Sequence, residues 1–232
     1  FAIRVAQKFM SLMTTQTLDG RVYEIDTRLR PSGEAGLLVT SLKAFEQYQL
    51  KNAWLWEHQA LVRARSIAGE QSLRDKFEAL RCRILIQPRD EAKVREEVLK
   101  MRQKMKDHLG SSKEQQKDGI FHLKQDAGGI VDIEFMAQYA VLAWSGANSD
   151  LAHYSDNVRI LEDAANAGCL SSDDATALIQ AYLSERAESH RLALANQSMQ
   201  VNAADWFDTR EVVCKLWQRL IDPTATFALE RE

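Results

Sequence analysis

Long segments with helical periodicity, interrupted by very few chain-breaking residues, constrain the fold of this chain more than any other feature. Apolar residues recur every three or four positions through residues 71–86, 90–109, 130–144 and 173–196. The 232 residues contain only three prolines and ten glycines, whereas alanine, leucine, glutamate, lysine and arginine are abundant. Because proline and glycine disfavour helices and the abundant residues favour them, the sequence predicts a mainly α-helical protein.

The first part of the chain differs in character from the rest. Residues 21–29 alternate polar and apolar side chains, as a strand does, and residues 37–39 form a short apolar segment with strand propensity. The later pattern is helical almost throughout, apart from a polar stretch at residues 110–119 that predicts a mobile loop. We therefore expect a small α/β domain at residues 1–69, followed by a helical bundle domain at residues 70–232.

The predicted strand carries the residues that point most directly to chemistry. Because alternate side chains of a strand share a face, two acids and two bases lie together: Glu24, Asp26, Arg28 and Arg30. Carboxylates suit a divalent metal and guanidinium groups suit phosphate oxygens, to which the turn at Ser32 and Gly33 adds backbone donors. The alternative is a solvated strand face held by ion pairs, which binds no ligand.

A glycine pair before a predicted helix is the second candidate site. Gly128 and Gly129 let a backbone turn approach a ligand closely, and the start of a helix favours anions. Asp132 and Glu134, which follow, offer oxygen ligands for a metal. In the alternative interpretation the glycines make a tight turn and Asp132 caps the helix.

Residues 54–65 contain a third set of candidates. His58 is either an acid–base group or a packed, hydrogen-bonded side chain beside tryptophans. Arg63 and Arg65 either bind phosphate or pair with Glu57 and its neighbours. The pattern leaves both interpretations open.

Charge and cysteine usage exclude several classes of function. The net charge of −3 and the isoelectric point of about 6.0 argue against non-specific nucleic-acid binding, which needs a positive field. No apolar run has transmembrane length, so we expect no membrane partner. Three widely separated cysteines suit free thiols in the cytoplasm. The chain begins at Phe1, inside an amphipathic pattern, and we expect it to be a piece of a longer polypeptide.

Together these motifs resemble one family, the bacterial glutamine synthetase adenylyltransferases, which are bifunctional adenylyl-transferring and adenylyl-removing enzymes. The resemblance rests on YEIDTRLRPSG at residues 23–33, WEHQALVRAR at residues 56–65, GGIVDIEF at residues 128–135 and SDNVRIL at residues 155–161. The resemblance covers nearly the whole chain, with these segments in the family's order and spacing. The sequences of the first two segments resemble those of the carboxy-terminal, adenylyl-transferring half of the family's enzymes.

The resemblance implies a truncated nucleotidyltransferase α/β remnant followed by a helical bundle of the PII-uridylyltransferase type. It implies a Mg²⁺-dependent reaction in which ATP donates AMP to a tyrosine hydroxyl of glutamine synthetase, with PII signal protein as a partner. Asp26 would be the third catalytic carboxylate and a metal ligand, and Glu24 is a further candidate ligand. Since the first two carboxylates are absent from this sequence, we expect the fragment alone to be inactive. The alternative is a regulatory module that binds PII, glutamine or glutamine synthetase without catalysis of its own.

Overall fold

The computed structural model describes residues 1–21, 23–227 and 229, and most of this range is helical. Its ten α-helices are α1 (Ala2–Thr14), α2 (Leu42–Lys51), α3 (Leu55–Val62), α4 (Gln71–Leu85), α5 (Glu91–Leu109), α6 (Lys113–Lys117), α7 (Ile130–Trp144), α8 (Asn157–Asn166), α9 (Ser172–Leu194) and α10 (Phe207–Leu220). Four short strands form two antiparallel pairs: β1 (Gln16–Thr17) with β2 (Gly20–Arg21), and β3 (Ile120–His122) with β4 (Gln200–Asn202). The mainly α-helical fold class is confirmed.

Local capping residues determine where several of these helices begin. The Ser41 hydroxyl accepts a hydrogen bond from the amide of Ala44, and the Ser171 hydroxyl accepts one from the amide of Asp174. Asp90 and Asp156 cap α5 and α8 in the same way. Each side chain satisfies a backbone donor that the first turn of a helix leaves without an intrahelical partner.

Helix α7 is the centre of the core. Twelve of its fifteen residues are buried, and it packs against α3, α5, α8, α9 and α10. A helix that is apolar around its whole circumference has to be enclosed by others, which is the arrangement found here. Most of the other helices bury one side and expose a polar side to solvent, whereas α1 and α6 have no buried residue.

A single buried arginine joins α3 and α4 to the segment before α8. Arg81 has no exposed surface, and its guanidinium group donates to five backbone carbonyl oxygens: those of Leu61, Val62, Ala152, His153 and Tyr154. Two of these carbonyls lie at the end of α3, where a helix leaves acceptors without partners. The charged group is therefore surrounded by hydrogen-bond acceptors, as a buried cation requires.

The predicted strand at residues 21–29 is wrong within the described residues, and Val22 lies outside them. Pairing ends at Arg21, and residues 23–28 have no regular secondary structure. Residues 37–39 are not a strand either, and residues 110–119 contain α6 instead of a mobile loop. A strand needs a neighbouring strand for its backbone hydrogen bonds, and residues 23–28 pair with no strand in the described part of the chain, although the Tyr23 amide donates to the carbonyl oxygen of Met13 at 3.4 Å.

Helix α3 lies inside the same core as the bundle, although it precedes the predicted domain boundary at residue 69. Leu61 and Val62 are buried in the apolar cluster that contains α7, and Gln59 donates to Gln138 of α7. The boundary itself stays a prediction. Among the described residues, no helix combines the length and the apolar character needed to cross a lipid bilayer.

Candidate functional site

The carboxylate of Asp26 forms an exposed, forked ion pair with Arg28. Nε of Arg28 lies 3.0 Å from both carboxylate oxygens, and Nη2 lies 2.6 Å from Oδ2. The backbone amide of Arg28 donates to Oδ1 at 2.9 Å. The two side chains are 55% and 73% exposed, so solvent reaches the whole pair. This geometry presents one carboxylate and one guanidinium group at the same point of the surface.

Hydrogen bonds from Arg28 lower the pKa of Asp26 to about 2, so the carboxylate is ionised at any physiological pH. Asp26 and Arg28 line an open concavity of about 560 Å³ together with Thr14, Glu24 and Ile25. An ionised carboxylate of this kind is a suitable ligand for a hard divalent cation. The same low pKa makes it a weak general base.

The side chain of Arg30 holds the loop at residues 31–36 through hydrogen bonds. Its guanidinium group donates to the backbone oxygens of Thr27, Glu34 and Gly36 at 2.6, 3.0 and 3.2 Å. The turn it encloses has positive φ angles at Ser32 and Gly33. At Gly36 a Cβ atom would lie 1.8 Å from the carbonyl oxygen of Pro31, so only glycine fits there. The conformation of the loop is thus fixed by its own side chains.

A largely apolar pocket of about 450 Å³ lies where this loop meets α2, α3 and α4. We call it the loop–helix pocket, and its lining is Leu29, Arg30, Pro31, Phe45, Gln49, Trp56, Glu57, Ala60, Leu61, Arg63, Ala64 and Phe77. The pocket brings together the segments at residues 23–33 and 56–65, and Arg30 and Arg63 both lie at its wall. Arg65 is exposed and is not part of the lining.

Glu57 and His58 have structural contacts. The carboxylate of Glu57 accepts from the Tyr48 hydroxyl at 2.9 Å and from the Trp54 amide at 2.9 Å, which closes the start of α3. Nε2 of His58 lies 3.0 Å from the carbonyl oxygen of Gln49, and Nη2 of Arg89 lies 3.4 Å from Nδ1. Burial lowers the pKa of His58, and the nearby Arg89 acts in the same direction.

The glycine pair and Asp132 form a buried structural corner away from the loop–helix pocket. Asp132 accepts from the amide of Gly128 at 2.7 Å and pairs with Nε of Arg102 on α5. A Cβ atom on Gly129 would lie 2.4 Å from the carbonyl oxygen of Leu123. This arrangement matches the tight turn of the alternative interpretation, but the N-cap of α7 is Gly129, with no side-chain cap hydrogen bond, and Asp132 holds the turn from inside the helix. Glu134 is half-buried on α7.

Sequence reasoning missed the apolar wall of the loop–helix pocket and the polar residue within it. Phe45 and Phe77 have helical spacing that is typical of core residues, and their ring centroids lie 6.1 Å apart at the pocket. Gln49 is one of two glutamines on the polar helix α2. The signal that singles it out is burial, since it is 6% exposed, and burial is visible only in three dimensions.

No group of three or more His, Cys, Asp or Glu side chains suited to a metal ion exists among the described residues. Asp26 and Glu24 line the same concavity, an arrangement that suits two carboxylate ligands of a metal site with further ligands. All three cysteines are free.

Comparison with protein families gives two matches that divide the chain. A family model for glutamate-ammonia ligase adenylyltransferase matches residues 1–80, and one for GlnD PII-uridylyltransferase matches residues 99–215. The first match contains Asp26 and the loop–helix pocket. The second covers half of the chain and identifies the bundle as one of the PII-uridylyltransferase type.

Three relatives carry the same printed description, bifunctional glutamine synthetase adenylyltransferase/adenylyl-removing enzyme. The protein from Acinetobacter baylyi is 87% identical over all 232 residues, which are 25% of its own length. Those from Pseudomonas aeruginosa and Hahella chejuensis are 48% and 47% identical over 95% of this chain and 23% of their own lengths. The chain therefore spans about a quarter of the length of these relatives.

Proposed function

The chain belongs to the family of bifunctional glutamine synthetase adenylyltransferase/adenylyl-removing enzymes, and from this premise we propose that it is one segment of an enzyme that adenylylates glutamine synthetase. In the proposed reaction a tyrosine hydroxyl oxygen attacks the α-phosphorus of ATP. The bond from that phosphorus to the bridging oxygen breaks, pyrophosphate leaves, and the hydroxyl proton passes to solvent. The observation that supports this function best is the exposed Asp26–Arg28 pair within the matched segment.

We assign Asp26 to ligation and orientation, not to proton abstraction. Its pKa of about 2 leaves it ionised and only weakly basic. Mg²⁺, when bound, would neutralise charge on the polyphosphate and polarise the reacting phosphorus. Asp26 would hold it, with Glu24 as the second candidate ligand, and Arg28, still paired with Asp26, would offer its remaining donors to the phosphate oxygens. Because one such pair is too few ligands for Mg²⁺, we expect this chain alone to be inactive.

The other basic residues of the two motifs receive more limited roles. Arg63 lines the loop–helix pocket beside the loop and is placed to contact phosphate or ribose oxygens. The donors of Arg30 are already used by backbone carbonyls, so Arg30 positions the turn at Ser32 and Gly33. Arg65 remains a candidate phosphate contact on the surface outside the pocket.

The test is Asp26→Asn in the longer polypeptide, followed by the incorporation of labelled AMP into glutamine synthetase. We expect the turnover to fall by about 10²–10⁴-fold with little change in ATP binding, because charge stabilisation by a held metal is worth several kcal/mol in the transition state and the neutral amide holds the metal poorly. Glu34→Gln is the matched control, since Glu34 is an exposed acid in the same loop. Unchanged turnover in the Asp26 variant would contradict the proposed role.

The family match of the bundle supports a second candidate function, a regulatory binding module. The matched model is named for an enzyme that acts on PII, and we propose PII signal protein as a ligand of the bundle. Binding of PII to the Asp26→Asn protein separates the two proposals. A binding module retains PII affinity when transfer is lost, whereas a purely catalytic protein has no such affinity.

A further inference from the structure

The polar side chains inside the loop–helix pocket are engaged within the protein or enclosed by it. The carboxylate of Glu57 accepts hydrogen bonds from Tyr48 and Trp54. Arg30 donates to three backbone carbonyl oxygens, and the side-chain oxygen of Gln49 has almost no accessible surface. Because a polar small molecule is held by several convergent polar groups, the interior of this pocket suits an apolar group instead.

The exposed part of the pocket is apolar as well. Leu29, on the loop after Asp26, is 70% exposed, and Trp56 on α3 is 37% exposed. Phe45 and Phe77 line the same cavity, with ring centroids 6.1 Å apart. A concave apolar surface with a partly exposed tryptophan is typical of places that receive an apolar side chain from a protein partner.

The charge around the pocket is positive. Arg63 is exposed, and its guanidinium group makes no hydrogen bond or ion pair within the described part of the chain. Arg30 adds a second positive charge, whereas Glu57 supplies the one carboxylate of the lining described above. Such a surface favours a partner with acidic groups, because complementary charge steers the encounter and fixes its register.

We propose that the loop–helix pocket docks the protein acceptor of the reaction by seating an apolar side chain, with an acidic neighbour, close to the tyrosine that receives AMP. The proposal rests on the proposed function and names the features of the acceptor that this chain recognises. The apolar side chain would lie among Leu29, Trp56 and Phe77, and the acid would lie on the side of Arg63. Attraction between opposite charges acts over several ångströms without a direct hydrogen bond, so Arg63 keeps its donors for phosphate or ribose oxygens.

One loop joins this docking site to the proposed site of transfer. Leu29 and Arg30 line the pocket, and Asp26 and Arg28 line the concavity. The Cα atoms of residues 26 and 30 can be at most about 14 Å apart, because four residues of extended chain span no more. An extended peptide bridges that distance with about four residues. The seated side chain is therefore expected within about four residues of the acceptor tyrosine.

The test measures KM for glutamine synthetase and KM for ATP separately in the longer polypeptide. Trp56→Ala removes one aromatic wall, and we expect KM for glutamine synthetase to rise about 10–30-fold while KM for ATP stays the same. Trp54→Ala is the matched control, because Trp54 is 69% exposed and lies outside the lining, and it should change neither constant. A rise in KM for ATP alone would mean that the pocket holds part of the nucleotide, and it would overturn the docking site.

Ala64→Trp tests the same site without removing a wall, because the added indole ring fills the pocket. It should raise KM for glutamine synthetase by a similar factor, and thermal unfolding of both variants checks that they fold. If another segment of the same polypeptide covers the pocket, the unfolding temperature falls and both KM values stay as they are. That result also overturns the docking site.

Synthetic peptides test the two features expected of the acceptor. Each peptide has one tyrosine and, four residues away, either leucine and aspartate, leucine and asparagine, or serine and aspartate. As competitors of glutamine synthetase adenylylation, leucine–aspartate peptides should inhibit at about tenfold lower concentration than serine–aspartate peptides. Their advantage over leucine–asparagine peptides should be about two- to fivefold, since an exposed charge pair contributes little. Equal inhibition by all three peptides would contradict the proposal.

Binding to the Asp26→Asn protein separates docking from catalysis. Calorimetric titration with glutamine synthetase should show the loss of affinity caused by Trp56→Ala in this background as well, although transfer is lost. Unaltered affinity in the Trp56 variant overturns the docking site and leaves the proposed function standing. Unaltered transfer in Asp26→Asn, with the effect of Trp56→Ala intact, overturns only the catalytic role of Asp26.

Discussion

The first 48 residues and the bundle around α7 differ in how they are held in place. None of the described residues before Gln49 is buried, although this part contains the Asp26 loop and α1. In the bundle, α7 alone buries twelve residues, and Arg81 is fixed by five hydrogen bonds. The candidate chemistry therefore lies on the part of the chain with the least packing, and the bundle supplies the rigid support.

This difference has a physical cause. Burial of apolar surface is the main stabilising term in folding, and a segment that buries none depends on local hydrogen bonds. The Asp26 loop has such local bonds, from Arg28 to Asp26 and from Arg30 to three carbonyl oxygens. Substitutions in the bundle should accordingly change stability, and substitutions in the loop should change function.

The largest effect is expected from Arg81→Met. The substitution leaves five buried carbonyl oxygens without donors, and we expect it to lower the free energy of unfolding by about 3–5 kcal/mol or to prevent folding. Urea unfolding followed by circular dichroism measures the change. Arg83→Met is the matched control on the same helix, because Arg83 is exposed and its one ion-pair partner within the described residues is Glu46; its cost should be about 0–1 kcal/mol. Equal effects of the two substitutions would show that the buried hydrogen bonds contribute nothing.

An intermediate effect is expected from Glu185, a fully buried carboxyl group on α9 with no hydrogen-bond partner among the described residues. Burial, with Asp132 nearby, raises its pKa from 4.5 to about 9, and Arg210 opposes the shift only in part. The folded protein therefore keeps the proton while the unfolded chain loses it, so stability falls as the pH rises from about 4.5 towards 9.

Glu185→Gln removes this dependence. We expect little change at pH 4.5 and a gain of about 1–3 kcal/mol at pH 7–8, measured as urea unfolding over a pH series. Glu188→Gln is the control on the same helix, because Glu188 is paired with Arg191 at the surface. A gain that does not grow with pH would mean that the Glu185 carboxyl group is ionised in the folded protein.

Most of the helical architecture follows from the sequence alone. The helices at Gln71–Leu85 and Glu91–Leu109 lie within a residue of their predicted bounds, and Ser41 and Ser171, residues of a type that commonly caps helices, do so here. Apolar periodicity and capping are local properties, which is why a sequence displays them. Strand formation is not local, because it needs a second strand to pair with. Residues 21–29 alternate polar and apolar side chains, but residues 23–28 have no neighbouring strand among the described residues, so the predicted strand is wrong.

The candidate site was predictable only in part, for a similar reason. Asp26, Arg28 and Arg30 were identified because they lie close together in the sequence. The loop–helix pocket is lined by residues from position 29 to position 77, on one loop and three helices, and no local pattern joins them. The roles of Arg81 and Glu185 also depend on burial, and both looked like ordinary polar positions on amphipathic helices.

The smallest effect is expected from Phe9→Ala on α1. Phe9 is 54% exposed, and α1 has no buried residue, whereas Phe121 on β3 is fully buried in a smaller apolar cluster with Leu123 and Leu192. The same chemical change should cost less than about 0.5 kcal/mol at position 9 and about 3–5 kcal/mol at position 121. Urea unfolding at several protein concentrations measures both free-energy costs.

The apolar face of α1, with Ile3, Val5, Phe9 and Leu12 exposed, is a surface on which molecules can associate. A cost at position 9 that grows with concentration would therefore show that this face packs between molecules, whereas a large cost independent of concentration would mean that α1 packs within its own chain and would remove the contrast between the two regions.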